Sequence, residues 1–237
     1  MQVIPPNSSI GVAVDILIMT VRNGRLCIML ARRTQPPCQG QWALPGRFVA
    51  LDESAEQTAR QLLREMLPVE AYFEQLYTFT EPQRDPRGRV VSITYLVIAP
   101  WQRLEAALSE SAVLPHCFEL ELESGQLRLT GEGGEALTGD ELAFDHGAIV
   151  RVGIERLRGK IDYSTIGFHF LEDKQSFSLS ALMNVYEAVL ARSIDNSNFR
   201  RAILTRYEEK GIIAQTDKAQ KNRRGRPAAL YRLLCDN

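Results

Sequence analysis

Two carboxylates, Glu53 and Glu65, sit at either end of a stretch whose remaining positions are mostly apolar or basic. Hard cations such as Mg²⁺ need oxygen ligands, and Leu62 within this stretch and Met66 just past it offer none. No metal site is expected. Anion chemistry is better supplied. Arg47 approaches the same stretch beside Gly46 and Phe48, and a guanidinium neutralises a phosphate by paired hydrogen bonds without activating water. A second group lies near the C-terminal end. Asn196, Ser197, Asn198, Arg200 and Arg201 cluster together, and Arg223, Arg224 and Arg226 flank Gly225 and Pro227. Asparagines and arginines can read base edges, and loop arginines can grip phosphates or a minor groove. His116, His146 and His169 are dispersed, with no nucleophile placed beside them. His146 is expected to be a structural residue at a helix start.

Elements to hold these groups can be read from local pattern. Residues 10–33 read as a hairpin turning at Asn23-Gly24. Residues 54–67 read as a helix, opened by a capping box of Ser54 with Gln57 and stopped by Pro68. Ala55, Ala59, Leu62, Leu63, Met66 and Leu67 fall on one face of it. Strand signals follow at residues 73–80 and 90–98. Within residues 101–140 the expectation is a helix near 104–108, strands near 118–123 and 126–130, and a Gly-rich turn at 131–134. Residues 144–157 have helical spacing, with Gly159 expected to cap the end. From about residue 160 the pattern changes. Ser178 opens a helix with Leu182, Val185, Tyr186, Val189 and Leu190 on one face. Asp195 or Ser197 opens a second helix through Lys210, with Gly211 past its end. Short strands at 212–214 and 230–233 flank a basic tip. Helix, turn, basic helix and two-stranded wing is the layout of a winged helix-turn-helix. Two domains are expected, residues 1–160 and 161–237.

Composition fits an ordinary globular chain of 237 residues, with 45% hydrophobic and 24% charged residues. No apolar run is long enough to span a bilayer and the first residues do not read as a signal peptide, so a cytoplasmic setting is expected. The four cysteines form no CxxC pair. The net charge of −1 hides an asymmetry. Residues 195–237 carry ten Lys/Arg against five Asp/Glu, so a basic end piece is joined to an acidic body. That suggests a polyanion as partner of the end piece.

Residues 44–66 resemble a Nudix box, which runs Gly, five residues, Glu, seven residues, then Arg-Glu-apolar-x-Glu-Glu. Aligned on Glu53, its Gly falls on Arg47, its Arg on Gln61, and its three later carboxylates on Leu62, Glu65 and Met66. Further marks are Gln41-Trp42-Ala43-Leu44-Pro45-Gly46, Arg84-Asp85-Pro86-Arg87-Gly88, Leu142-Ala143-Phe144-Asp145-His146, Asn198-Phe199-Arg200-Arg201 and Gly225-Arg226-Pro227-Ala228. In this order they resemble the Nudix-related transcriptional regulators of NAD metabolism (NrtR type). The resemblance implies an α/β (α+β) Nudix fold followed by a winged helix, and a homodimeric repressor that senses ADP-ribose and binds operator DNA. It implies a ligand site at Arg32, Arg33, Trp42, Gly46, Arg47, Phe48, Glu53, Glu65, Arg84, Asp85 and Arg87. Arg47 would there stand in for the cation beside the diphosphate. Trp42 has a competing reading as a core residue. DNA contacts fall to Asn196, Ser197, Asn198, Arg200, Arg201, Arg223, Arg224 and Arg226. No cofactor and no catalysis are expected, because Gln61, Leu62 and Met66 replace catalytic residues. The rivals are a Nudix hydrolase acting on ADP-ribose-like nucleoside diphosphates, and a metabolite-binding protein without DNA contact.

Overall fold

The alternation along residues 10–33 produces strands β1 (Gly11–Arg22) and β2 (Arg25–Arg32), paired antiparallel and joined through Asn23-Gly24, both at positive φ. In the computed structural model, which describes residues 10–108, 115–220 and 228–235, they form the middle of a large mixed sheet. Short strands β3 (Trp42–Ala43) and β4 (Gly46–Phe48) pair with β2 and β1. Helix α1 (Ala55–Met66) follows, then β5 (Tyr72–Phe79), β6 (Val90–Ile98), α2 (Trp101–Leu108), β7 (His116–Glu123), β8 (Gln126–Gly131), β9 (Ala136–Thr138) and α3 (His146–Lys160). Strand order is β5-β6-β1-β2-β7-β8-β9, with β1 and β6 parallel.

Period-two alternation splits the apolar residues between the two faces. Val14, Ile16, Ile18, Cys27 and Met29 pack under Ala59, Leu62, Leu63 and Met66 of α1 and Leu104 of α2. Leu17, Met19, Ile28 and Leu30 face the other way, toward Ile149, Val150, Ile154 and Leu157 of α3. The capping box expected at α1 is present. The Gln57 backbone N–H donates to Ser54 Oγ (3.2 Å), and the Ser54 N–H donates to Gln57 Oε1 (2.8 Å).

Beyond α3 come β10 (Phe177–Ser178), α4 (Leu179–Leu190), α5 (Asn196–Ile203), β11 (Ile213–Gln220) and β12 (Ala228–Leu233), with sheet order β10-β12-β11. Ser178 caps α4 by accepting from the Ala181 N–H at 3.1 Å, and Asp195 caps α5 by accepting from the Asn198 N–H at 2.9 Å. The second apolar cluster runs without a break from the sheet through α3 to Phe168, Leu182, Val185, Tyr186, Val189, Phe199 and Ile203.

Three local expectations need correction, and one strand was not anticipated. Gly159 lies inside the last turn of α3, which ends at a right-handed C-cap on the buried Ile161. The helix expected through Lys210 is α-helical only to Ile203. A π turn, Leu204–Glu208, follows and turns Tyr207 inward, where its hydroxyl donates to the Ser164 carbonyl at 2.9 Å. Both wing strands are longer than their apolar cores, because ladder pairing extends through Gln215, Ala219 and Gln220 despite a register shift. Strand β9 had no strong sequence signal; it pairs with β8 along a short exposed edge.

Candidate functional site

A cavity of about 230 Å³ opens where β1 meets β4, between the loop at residues 84–87 and the turn entering α3. Gly46 is required by close approach. It pairs with Asp15 across the β1–β4 ladder, and a Cβ here would collide with the Asp15 carboxylate and the Val14 carbonyl. Of the residues expected at a ligand site, Arg33, Gly46, Arg47, Phe48, Arg84, Asp85 and Arg87 line this cavity together.

The arginines are held by carboxylates. Arg84, almost wholly buried, donates through Nε and Nη2 to Asp145 Oδ2 and Oδ1 at 2.9 and 2.6 Å, and Nη2 lies 3.5 Å from Asp15 Oδ2. Arg87 grips Asp85 through Nε (3.0 Å) and Nη2 (2.7 Å). Burial alone would push the Asp85 carboxyl up; the hydrogen bonds and charge of Arg87, with help from Arg84, hold it below the usual carboxylate range. The Arg87 guanidinium lies 4.9 Å from the Phe48 ring centroid and 5.6 Å from that of Phe144, and Arg33 lies 4.7 Å from Phe144. Cation and aromatic surfaces therefore alternate along one wall.

The floor is made by Asp15, not singled out from the sequence, and by His146, expected only as a structural residue. Ser92 donates to Asp15 Oδ2 at 2.5 Å, and His146 Nε2 lies 3.5 Å from Asp15 Oδ1. Desolvation holds the buried His146 below its ordinary range, so the ring is neutral. Its Nδ1 accepts the Leu44 N–H at 2.8 Å, which puts the ring proton on Nε2, facing Asp15. This fixes His146 at the start of α3 in the structural place expected of it. A lone carboxylate between Val14 and Ile16 of an apolar strand was the available signal for Asp15. Phe144, expected to open the helical spacing of residues 144–157, lies instead at φ 55° just before α3, where it lines the cavity.

Four expected ligand residues lie elsewhere. Trp42 points into the core: its ring meets Phe118 edge-on at 4.9 Å and Nε1 donates to Glu135 at 2.9 Å. Arg32 is drawn outward over Trp42 and to Glu135. Glu53 accepts from Thr58 Oγ1 at 2.6 Å beside the N-terminus of α1. Glu65 sits on α1 and accepts from Arg47 Nη1 at 2.9 Å and from Gln61 Nε2 at 2.8 Å.

A divalent cation, which a Nudix fold implies, does not fit these side chains. Leu62 and Met66 are 9% and 6% exposed and belong to the core under α1. Arg47 already occupies Glu65, and its Nη2 reaches the Thr58 carbonyl at 3.4 Å. Among the described residues no three His, Cys, Asp or Glu side chains gather as a metal site. No helix among them is long and apolar enough to cross a membrane.

At the other end of the chain, Asn196, Ser197, Asn198, Arg200 and Arg201 are all exposed on α5, while Phe199 and Ile203 are buried beneath them. Arg200 Nη2 donates to Tyr231 Oη at 3.3 Å, and Arg201 Nη2 to Asn198 Oδ1 at 3.2 Å. Arg223, Arg224 and Arg226 lie outside the described residues.

Comparison with known proteins gives a consistent picture. Residues 10–123 match the family described as the NUDIX domain, and residues 167–233 match the NrtR DNA-binding winged helix domain. Over 222 residues the chain is 31% identical to the ADPR responsive transcriptional repressor NtrR of Acinetobacter baylyi, covering 92% of this chain and 80% of that protein. It superimposes on the crystal structure of Shewanella oneidensis NrtR complexed with a 27mer DNA with a TM-score of 0.72 at 28% identity, covering 94% of this chain and 93% of that one. A shorter likeness, 28% identity over 130 residues, joins it to the ADP-ribose pyrophosphatase of Methanocaldococcus jannaschii, covering 52% of this chain and 63% of that protein.

Proposed function

Since the chain belongs to the NrtR family of Nudix-domain regulators, we propose that it is an ADP-ribose-responsive repressor of NAD-metabolism genes that binds DNA and does not hydrolyse its ligand. Residues 1–160 form the sensing unit and residues 161–237 the DNA-binding unit. The observation that carries the reading is one chain holding both an arginine-lined Nudix cavity, whose helix buries Leu62 and Met66 where carboxylates would stand, and an exposed Asn/Arg face on a winged-helix α5.

ADP-ribose is a nucleoside diphosphate sugar. Arg47, Arg84 and Arg87 supply guanidinium groups for its phosphates, and Phe48 and Phe144 supply ring faces. Arg47, already drawn to Glu65, provides the positive charge that a cation supplies elsewhere, but it generates no metal-bound nucleophile. The reading requires a cytoplasmic homodimer, because one small winged helix offers few base contacts and specificity then needs two half-sites. These would be inverted repeats about one or two helical turns apart.

The hydrolase alternative has one thing in its favour, the partial likeness to an ADP-ribose pyrophosphatase. Incubation with ADP-ribose and Mg²⁺ or Mn²⁺, followed by chromatography, separates the two. The nucleotide should remain intact; turnover near one per second, ordinary for enzymes, would favour the hydrolase.

A further inference from the structure

Asp145 sits at the N-cap of α3, where an aspartate ordinarily accepts a hydrogen bond from the first turn. It makes no such side-chain bond. Its carboxylate is instead taken by Arg84 in a two-point grip at 2.6 and 2.9 Å, and Arg84 lines the cavity. The carboxylate therefore has two competing partners, a cavity arginine and the Gly147 N–H of its own helix, the first-turn donor left over where His146 donates to the Ala143 carbonyl (3.2 Å) and Ala148 to the Asp145 carbonyl (2.9 Å).

The far end of α3 is tied to the DNA-binding unit by named bonds. Arg158 Nε donates to the Val189 carbonyl near the end of α4 at 2.9 Å. Just past the helix, the Ile161 carbonyl accepts from Tyr186 Oη at 2.7 Å, Asp162 accepts from Arg206 at 3.2 Å, and Ser164 accepts from Tyr207. Between the ends the helix rests directly on the sheet, since a Cβ on Gly153 would strike Leu17. One stiff element thus touches the cavity arginine at its start and α4 at its end, and the chain leaving it holds the turn after α5 through Asp162 and Ser164.

We propose that α3 is the relay between the two sites, switched by Asp145. A phosphate in the cavity competes for Arg84, releases the Asp145 carboxylate to cap α3, and resets the helix end that holds α4 and Tyr207. The ligand has the differential affinity that coupling requires, because it binds Arg84 best when Asp145 has let go. The relay rests on the reading of the cavity as an ADP-ribose site.

Hydrogen exchange on the full-length chain, with and without saturating ADP-ribose, tests it on wild type, Asp145→Asn and Arg158→Met. Asparagine can cap but cannot form the ion pair, and Arg158 touches neither ligand nor DNA face. In wild type, ADP-ribose should protect the cavity strands and change exchange in α4 and α5 at least threefold. Asp145→Asn should show liganded α4 rates before any ligand is added. Arg158→Met should keep the cavity protection and lose most of the α4 response. Wild-type changes confined to the cavity, or a full α4 response kept in both variants, would overturn the relay alone. No protection anywhere would overturn the ADP-ribose reading, and the relay with it.

Discussion

The arginines of the cavity and those of α5 are suited to the same kind of charge by opposite means. Arg84, Arg87 and Arg47 are each held by a carboxylate, Asp145, Asp85 and Glu65. Among the described residues, Arg200 and Arg201 donate to neutral oxygens, on Tyr231 and Asn198, and lie exposed. A paired guanidinium is oriented in advance and much of its field is cancelled, so only a ligand that replaces the carboxylate in good geometry gains by binding. Unpaired surface arginines keep their full field and favour any polyanion, with sequence read only where the face meets base edges. The difference suits a small-molecule sensor joined to a DNA reader.

The contrast should break most visibly in stability. Arg84→Met leaves Asp15 and Asp145 without their buried partner and should cost about 3–5 kcal/mol in urea unfolding. Arg201→Ala should stay within about 0.5 kcal/mol of wild type. Equal losses would remove the distinction between the two sets.

Binding should separate them next. Arg47→Ala should weaken ADP-ribose by about 1.5–3 kcal/mol, the worth of a charged hydrogen bond, and wild-type binding should be indifferent to EDTA. Calorimetry showing binding only with added Mg²⁺ would reject the replacement of cation by arginine. Arg200→Ala should leave ADP-ribose affinity alone and cost roughly 1–3 kcal/mol at the cognate DNA site if it reads a guanine edge.

A smaller effect concerns pH. His146 is buried neutral, its pKa lowered by desolvation from the ordinary 6.5. The unfolded chain takes up a proton as pH falls through about 6.5 while the folded one does not, so stability is full above that pH and declines below it. The decline from this group is at most about 1.4 kcal/mol per pH unit, and His146→Gln should abolish it in urea melts at pH 7.5 and 5.5. Smallest is a salt effect: Arg224→Ala or Arg226→Ala should weaken all DNA sequences alike and lower the salt slope by about one for each lost phosphate contact.

Legibility in the sequence followed the range of the interaction. Asn23-Gly24, the Ser54–Gln57 box and the α4 stripe are local patterns, and each appears in the structure where its spacing puts it. The cavity arginines were legible through motif resemblance, as were Asp85 and Glu65, but the partners of Arg84 were not. Asp15 and Asp145 meet Arg84 only because a parallel β1–β6 pairing and the turn into α3 bring distant segments together. Trp42 illustrates the reverse. An aromatic residue before a Leu-Pro-Gly turn looks the same whether it faces a ligand or Phe118, and only the pairing of β3 with β2 decides. The π turn after Ile203 keeps the apolar spacing of an α-helix well enough to hide.

The central claim is that one chain couples an intact nucleotide to DNA. Anisotropy titrations on duplexes from the protein's own upstream region, with and without ADP-ribose and with the nucleotide assayed afterwards, address it directly. The account predicts tight binding to one such fragment, an affinity changed by ADP-ribose, and ADP-ribose recovered unchanged. No specific binding to any upstream fragment, together with conversion of ADP-ribose to its cleavage products, would contradict it.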